Sequence, residues 1–394
     1  MEVFKYNEKR VKKINEFMKK LISANKTEEK VKLYNEYIGY IKNITPIDIF
    51  YLHHYSEEAN LSIKKIKETA NKFVNVFHKG LEKYAGKYDH ILLKTLLKEN
   101  KTIEAYLNQL KEYYKTDNVL DKKSELIKGL KKCFVFENKF IKYENIIFPN
   151  LESLLPSTKP FEVLWQLHDD ARNLLKKIID YLSLSNDKID KNKLVKFIGE
   201  YYFLIYGINQ KEELIILPLV NQMLSKNKLD KMYNECLDYQ FVFLDEKAPV
   251  KTKKDNFISN KYFKSETGEL SFSQLELIMN SIPVDITFVD KNDVVKYYNN
   301  RLQRHFPRNP SVIGRLVKHC HPPKSIKIVE KIIEDFKKHK RDYADFWINF
   351  KGTFLYIIYY ALRDENNQYQ GILEVSQDIT KLRELKGEKR LYDD

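Results

Sequence analysis

Cysteine is scarce in this chain of 394 residues: Cys133, Cys236 and Cys320 are odd in number and far apart. No disulfide framework and no Cys-x-x-Cys zinc knuckle can be built from that spacing. Long apolar runs are missing too. None approaches the ~18 residues that a membrane helix needs, and the opening MEVFKYNEKRVKK holds no apolar signal core. These absences predict a cytoplasmic protein with no membrane partner. No G-x-x-x-x-G-K phosphate loop, kinase pattern or helix-turn-helix pattern occurs. No Cys/His/Asp set with defined partners can be assembled either, so a binding protein is expected, not an enzyme.

What the chain has in excess is lysine. Lys+Arg number 69 against 55 Asp+Glu, a formal charge of +14. The basic residues alternate with acids along helical stretches such as KKIKETANK, which is the pattern of a solvated surface. Nucleic acid is therefore the weakest partner class, because phosphate binding needs a concentrated basic face. The length allows two or three domains with full cores.

Residues 1–85 read as helices throughout. Val11, Ile14, Phe17, Met18 and Leu21 form one apolar stripe. Thr45-Pro46 with Asp48 is a helix start: a capping hydroxyl, a proline in the first turn and an acid at the positive end of the dipole. Ser62 is placed to cap the next helix. His53 and His54 are adjacent, so on a helix they face different sides and cannot share a metal.

A second helical block follows, and it repeats itself. KYENIIFP (Lys142–Pro149) is echoed by KEELIILP (Lys211–Pro218), each ending a long amphipathic helix. Phe140, Ile146, Ile147, Phe148, Ile215, Ile216 and Leu217 are the expected buried faces. Between the repeats, WQLHDDAR (Trp165–Arg172) lies in a third helix, and two matching halves point to an up-and-down four-helix arrangement. These residues resemble the hemerythrin-like cation-binding bundle. The resemblance implies iron at His90, His168, Glu144 and Glu212. The chain departs from that family at Lys139 and Tyr143, where the first half carries His and Glu, and at Ile208, where the second begins with His. An ammonium at Lys139 would stand where a cation sat, paired with Glu144, Glu212 or Glu213, because buried charges must be paired.

Beyond a polar stretch at 245–269 the periodicity changes. ITFVD (Ile286–Asp290) and VVKYY (Val294–Tyr298) are β-rich runs joined by a turn composition. VIGRLVKHCHPPKSIKIVEKIIEDF (Val312–Phe336) holds His319, Cys320 and His321 before two prolines and an amphipathic helix. FWINF (Phe346–Phe350), FLYIIYY (Phe354–Tyr360) and ILEVS (Ile372–Ser376) are three further strands. This order, and the closing GILEVSQDIT, resembles a PAS sensor domain.

The reading is thus multidomain: an all-α N-terminal half (helical domain 1–85 and four-helix hemerythrin-like bundle 86–244), a linker at 245–269, an α+β PAS domain at 270–382 with a five-stranded antiparallel sheet, and a charged helical tail at 383–394. With the N-terminal helices, the composite resembles a known three-part bacterial or archaeal architecture. A cytoplasmic signalling protein is expected, its PAS domain sensing haem, iron, oxygen, nitric oxide or a metabolite and addressing a separate signalling partner. Cys320 and His321 are the proposed haem ligands, since thiolate and imidazole both serve axially. His319 would lie on the same side as His321 in an extended loop. Leu270–Met279 could pair two copies. The alternative is an interaction scaffold without cofactor.

Overall fold

The protein, here a computed structural model, is described for residues 6–24, 26–58, 76–114, 119–244, 262–301 and 304–389, excluding the side chains of residues 22 and 53–58. Ser62 and the side chains of His53 and His54 therefore lie outside the described residues. The chain forms two compact units, residues 1–252 and 253–394. No described helix is long and apolar enough to cross a membrane.

The first unit is helical. α1 (Glu8–Ser23), α2 (Thr27–Lys42) and α3 (Pro46–Glu58) precede a series of longer rods. The start of α3 is built as its residues dictate. Thr45 donates through N and Oγ1 to Asp48 Oδ2 at 2.8 and 2.9 Å, and Arg10 closes on the same carboxylate at 2.7 and 2.9 Å. One apolar core extends from Val11 to Val242, so helices on both sides of residue 85 pack together.

Four rods follow. α4 is Ile91–Tyr114, and the second comprises α5 (Lys123–Lys132), α6 (Phe136–Lys142) and α7 (Phe148–Glu152). The third is α8 (Lys159–Leu182), and the fourth runs through α9 (Lys191–Lys211) and α10 (Leu217–Met223), with α11 (Lys226–Cys236) after it. The two repeated segments have the same shape: π-helical turns at Tyr143–Ile147 and Glu212–Ile216, each just before a proline near the start of the next helix. A proline cannot donate to the carbonyl four residues back and its ring crowds that carbonyl. Widening the preceding turn relieves both problems and keeps the rod continuous. All seven residues expected to be buried there are buried, from 0% exposure at Ile146 to 6% at Ile215.

The second unit opens with a hairpin, β1 (Tyr262–Ser265) and β2 (Gly268–Ser271), which begins in the stretch read as linker at 245–269 and ends two residues past it. Ser271 and Gln274 then form a capping box at the start of α12 (Phe272–Ser281). The main sheet is antiparallel with order β4-β3-β7-β6-β5. Its strands are β3 (Asp285–Asp290), β4 (Val295–Tyr298), β5 (Tyr343–Phe350), β6 (Thr353–Arg363) and β7 (Tyr369–Asp378), with α13 (Pro323–Lys337) between β4 and β5. That is the five-stranded α+β layout expected. Val289, Ile372 and Ala344 pack with Ile333 and Phe336 of α13 to form the inner core. Gly371 is required in the middle: its φ is +147°, and a Cβ there would meet the Val289 carbonyl at 2.1 Å. After Thr380 only Leu382–Glu384 forms a short 3₁₀ turn, and residues 385–389 are not helical, so the helical tail is corrected over those residues. Gly387, at φ +68°, interrupts any helix there.

Candidate functional site

Charge enters the core of the helical unit where the repeats face each other. Lys139, in the middle of α6, places Nζ 2.8 Å from Glu212 Oε2, with both side chains at most 1% exposed. The contact is ionic rather than a well-directed hydrogen bond; the ammonium donates instead to Asn209 Oδ1 at 2.5 Å. Lys142, one turn on, pairs with Glu99 at 2.9 Å, and Glu99 also accepts from the Val242 amide at 2.7 Å. His168 Nδ1 donates to Glu144 Oε1 at 2.9 Å, while its Nε2 stands 3.9 Å from Glu212 Oε1. The imidazole is stacked on Phe140 with ring centres 4.4 Å apart. Arg172 closes the line, 3.0 Å from both Glu144 and Asp169.

These contacts tune the acids. Burial is the largest influence on Glu144 and on its own would raise the pKa, but His168 and Arg172 outweigh it and hold the carboxyl below its ordinary range. Glu212 behaves likewise: burial raises it, and Lys139 with His168 brings it lower. Glu99 is the exception, pushed up because burial exceeds the effect of Lys142.

The implied iron site does not fit these residues. His90 is engaged elsewhere: Nε2 lies 2.9 Å from Asp230, and Nδ1 accepts from the Leu92 amide at 3.1 Å. His168, Glu144 and Glu212 do come together, at 2.9 and 3.9 Å from the imidazole. The cation there is Lys139, as the pairing argument anticipated. An ammonium already 2.8 Å from Glu212 repels a divalent ion at that carboxylate. Among the described residues no group of three His, Cys, Asp or Glu is placed to hold a metal. Lys142–Glu99 was not legible beforehand, because nothing near Glu99 in sequence marks it as internal.

In the second unit the side chains gather on the inner face of the sheet. Thr287, Glu374 and Tyr359 are register partners across β3, β7 and β6, so they lie in one row. Ile286 is the next residue along β3 and faces the other side, away from Tyr359. Arg308 Nη2 is 3.7 Å from Glu374 Oε2, and its buried Nε–H has no acceptor. Phe306, two residues earlier, packs on Phe350 with ring centres 5.2 Å apart, which ties this loop to the end of β5. Tyr359 stacks near Phe346 at 5.8 Å, and Phe346 is 37% exposed, so the inner face is not sealed at that edge. Burial raises the Tyr359 hydroxyl, and Glu374 adds to the effect.

Val317–Cys320 is a 3₁₀ turn, not an extended loop. Residues two apart on such a turn project in different directions, so the shared side expected for His319 and His321 does not hold. His321 donates through Nδ1 to the Val317 carbonyl at 2.9 Å. Burial, the largest influence, lowers its pKa, in the field of Glu374, Arg308 and Arg315. Cys320 packs on the inner core and points Sγ at the Leu316 carbonyl, 3.8 Å away. A haem plane needs a broad apolar slot in front of its axial ligand. Here Glu374, on the inner face of the sheet whose core Cys320 packs against, stands 3.7 Å from Arg308, and a charged pair there does not fit haem. Arg308 and Glu374 were missed by sequence reading: one sits in a loop, and the other looks like any solvent-facing strand residue.

The family comparison bears on the fold of this unit. Residues 275–380 match the family model described as PAS domain. The chain is similar to the crystal structure of a C-terminal domain from Streptococcus mutans, at 39% identity over 32% of this chain and 98% of that one, with a TM-score of 0.30. It is also similar to the PAS domain of a protein from Colwellia psychrerythraea, at 18% identity over 28% and 97% of the two chains, TM-score 0.23. No curated protein matches the chain at significant similarity. With the family match falling on the five-stranded sheet and α13, the C-terminal domain of this chain is a PAS domain.

Proposed function

We propose that this chain is a sensory protein whose PAS domain binds a small polar molecule on the inner face of its sheet and passes the change to a partner, without catalysing a reaction. One observation carries the reading: Arg308, with its side chain 12% exposed, has a buried Nε–H with no acceptor. A buried unmet donor costs about 1–3 kcal/mol, and a ligand that accepts from it recovers that cost. The surrounding row of Thr287, Glu374 and Tyr359 supplies further polar groups for orientation.

The helical unit enters this reading as a hemerythrin-like relative whose interior is held by ion pairs. The partner is a separate signalling protein or a second copy; Leu277 and Ile278 of α12 are exposed at 67% and 47% and offer an apolar surface for it. Native mass spectrometry of the freshly purified full chain tests the ligand. The expected result is an added mass of small-molecule size, lost on mild heating. A bare chain in every preparation, or a haem Soret band in its absorption spectrum, refutes the proposal.

A further inference from the structure

The charges around Arg308 define the ligand more narrowly. His321 lies in the field of two guanidiniums, Arg308 and Arg315, and one carboxylate, Glu374. Asp285 is engaged by Arg301 at 3.3 Å and by the His305 amide at 2.7 Å. Arg304 is held by the Asn299 carbonyl and side chain at 2.6 and 2.7 Å and by the Ile286 carbonyl at 3.3 Å; it is a structural clamp. Arg308 has no such clamp. At 3.7 Å from Glu374 it is close enough for attraction and too far for a direct hydrogen bond. Its Nε/Nη edge is the edge that receives a carboxylate side-on. Glu374, for its part, is an acceptor 3.7 Å from the same guanidinium.

Resting on the small-ligand reading above, we propose that the ligand is a small carboxylate carrying a hydroxyl or ammonium donor, held at its carboxylate by Arg308 and at its donor by Glu374. The two groups must be close together in the ligand, because Arg308 and Glu374 are adjacent. That describes 2-hydroxy acids and α-amino acids. A plain dicarboxylate would set a second negative charge against Glu374, and a neutral amide would leave the guanidinium edge without an anion.

The test is isothermal titration of the full chain with lactate, malate, alanine, aspartate, propionate, succinate and lactamide. Lactate and malate report the hydroxy-acid arm, alanine and aspartate the amino-acid arm. Binding in at least one arm, with propionate or succinate about tenfold weaker or worse, is expected from the loss of one charge-assisted hydrogen bond. Arg308→Gln should abolish the heat. Arg308→Lys keeps the charge but loses the bidentate edge, and should bind about tenfold more weakly even if the glutamine variant fails to fold. Propionate binding as well as lactate, or lactamide binding as well as lactate, overturns the assignment of class while leaving a small polar ligand in place. If none of the acids binds although a small molecule accompanies the purified chain, the class is again wrong. If none binds and the purified chain carries nothing, both readings fall.

Discussion

Removing the ammonium of Lys139 should expose how the interior of the helical unit is held. In Lys139→Met the side chain keeps its length, but Glu212, fully buried, loses the cation 2.8 Å away and retains only His168 Nε2 at 3.9 Å. Breaking one side of a buried pair costs about 3–5 kcal/mol, chiefly because the remaining charge stays desolvated. That is a factor of roughly 10² to 10⁴ in the unfolding equilibrium. The double variant Lys139→Met, Glu212→Leu removes both charges and should recover most of the loss.

The pH dependence carries its own sign. In the native protein Glu212 titrates below its ordinary value because Lys139 and His168 outweigh burial. Its stabilising contribution is present above the unfolded pKa of about 4.3 and is lost as pH falls through the lower folded value. Without Lys139, burial dominates and the folded pKa rises, so the variant is penalised at about pH 7 and relieved as acid protonates Glu212. Guanidinium denaturation followed by far-UV circular dichroism at about pH 7 and pH 4.5 measures both effects. A single variant within about 1 kcal/mol of the parent at neutral pH would refute the reasoning, as would a penalty equal at the two pH values.

Three further outcomes follow from other parts of the molecule. Phe148→Ala, at a position with 0% exposure beside the first π turn, should cost about 3–5 kcal/mol by the same denaturation assay. Gly371→Ala sets a methyl against the Val289 carbonyl at a φ of +147°; a loss of about 3 kcal/mol or more is expected, and a melting temperature unchanged from the parent would contradict it. His321 has a pKa lowered by burial, so its contribution is present above the ordinary value of about 6.5 and is lost as pH falls through the folded value. With Glu374, Arg308 and Arg315 untouched, His321→Gln should flatten that part of the pH–stability curve.

Much of the architecture was legible because it rests on periodicity. The strands of the PAS sheet are β-rich runs bounded by turn residues, α13 repeats its apolar residues at helical spacing, and the two acid–apolar–proline segments declare a duplicated rod. The π turns were not legible: proline marks the strain, but whether the chain kinks, breaks or widens depends on what packs outside it. The hairpin at Tyr262–Ser271 was missed because its first strand is exposed throughout and shows no alternation of burial. The Lys139–Glu212 pair was among those foreseen, since a lysine where the resembled family carries a histidine needs an acid, with Glu144, Glu212 and Glu213 as the candidates. Lys142–Glu99 could not, because the partner is 43 residues away on a helix with many other acids. His319, Cys320 and His321 misled through their chemistry. A thiol beside two imidazoles resembles a ligand set in one dimension, and a 3₁₀ turn separates the histidines in three.

The same difficulty affects any attempt to tell a structural charge from a binding one, and here the two units differ in a measurable way. In the helical unit three internal cations among the described residues each stand against a carboxylate within 3.0 Å: Lys139 with Glu212, Lys142 with Glu99, and Arg172 with Glu144. Pairs in direct contact leave little charge to attract a ligand. Arg308 in the PAS domain differs. Its carboxylate stands off at 3.7 Å, and one donor has no acceptor at all. Burial alone therefore does not mark a site. A buried charge whose partner falls short does, because the missing interaction is what a ligand can supply. By that criterion the histidines that stand out in the sequence are secondary, and an arginine with no motif around it is where recognition starts.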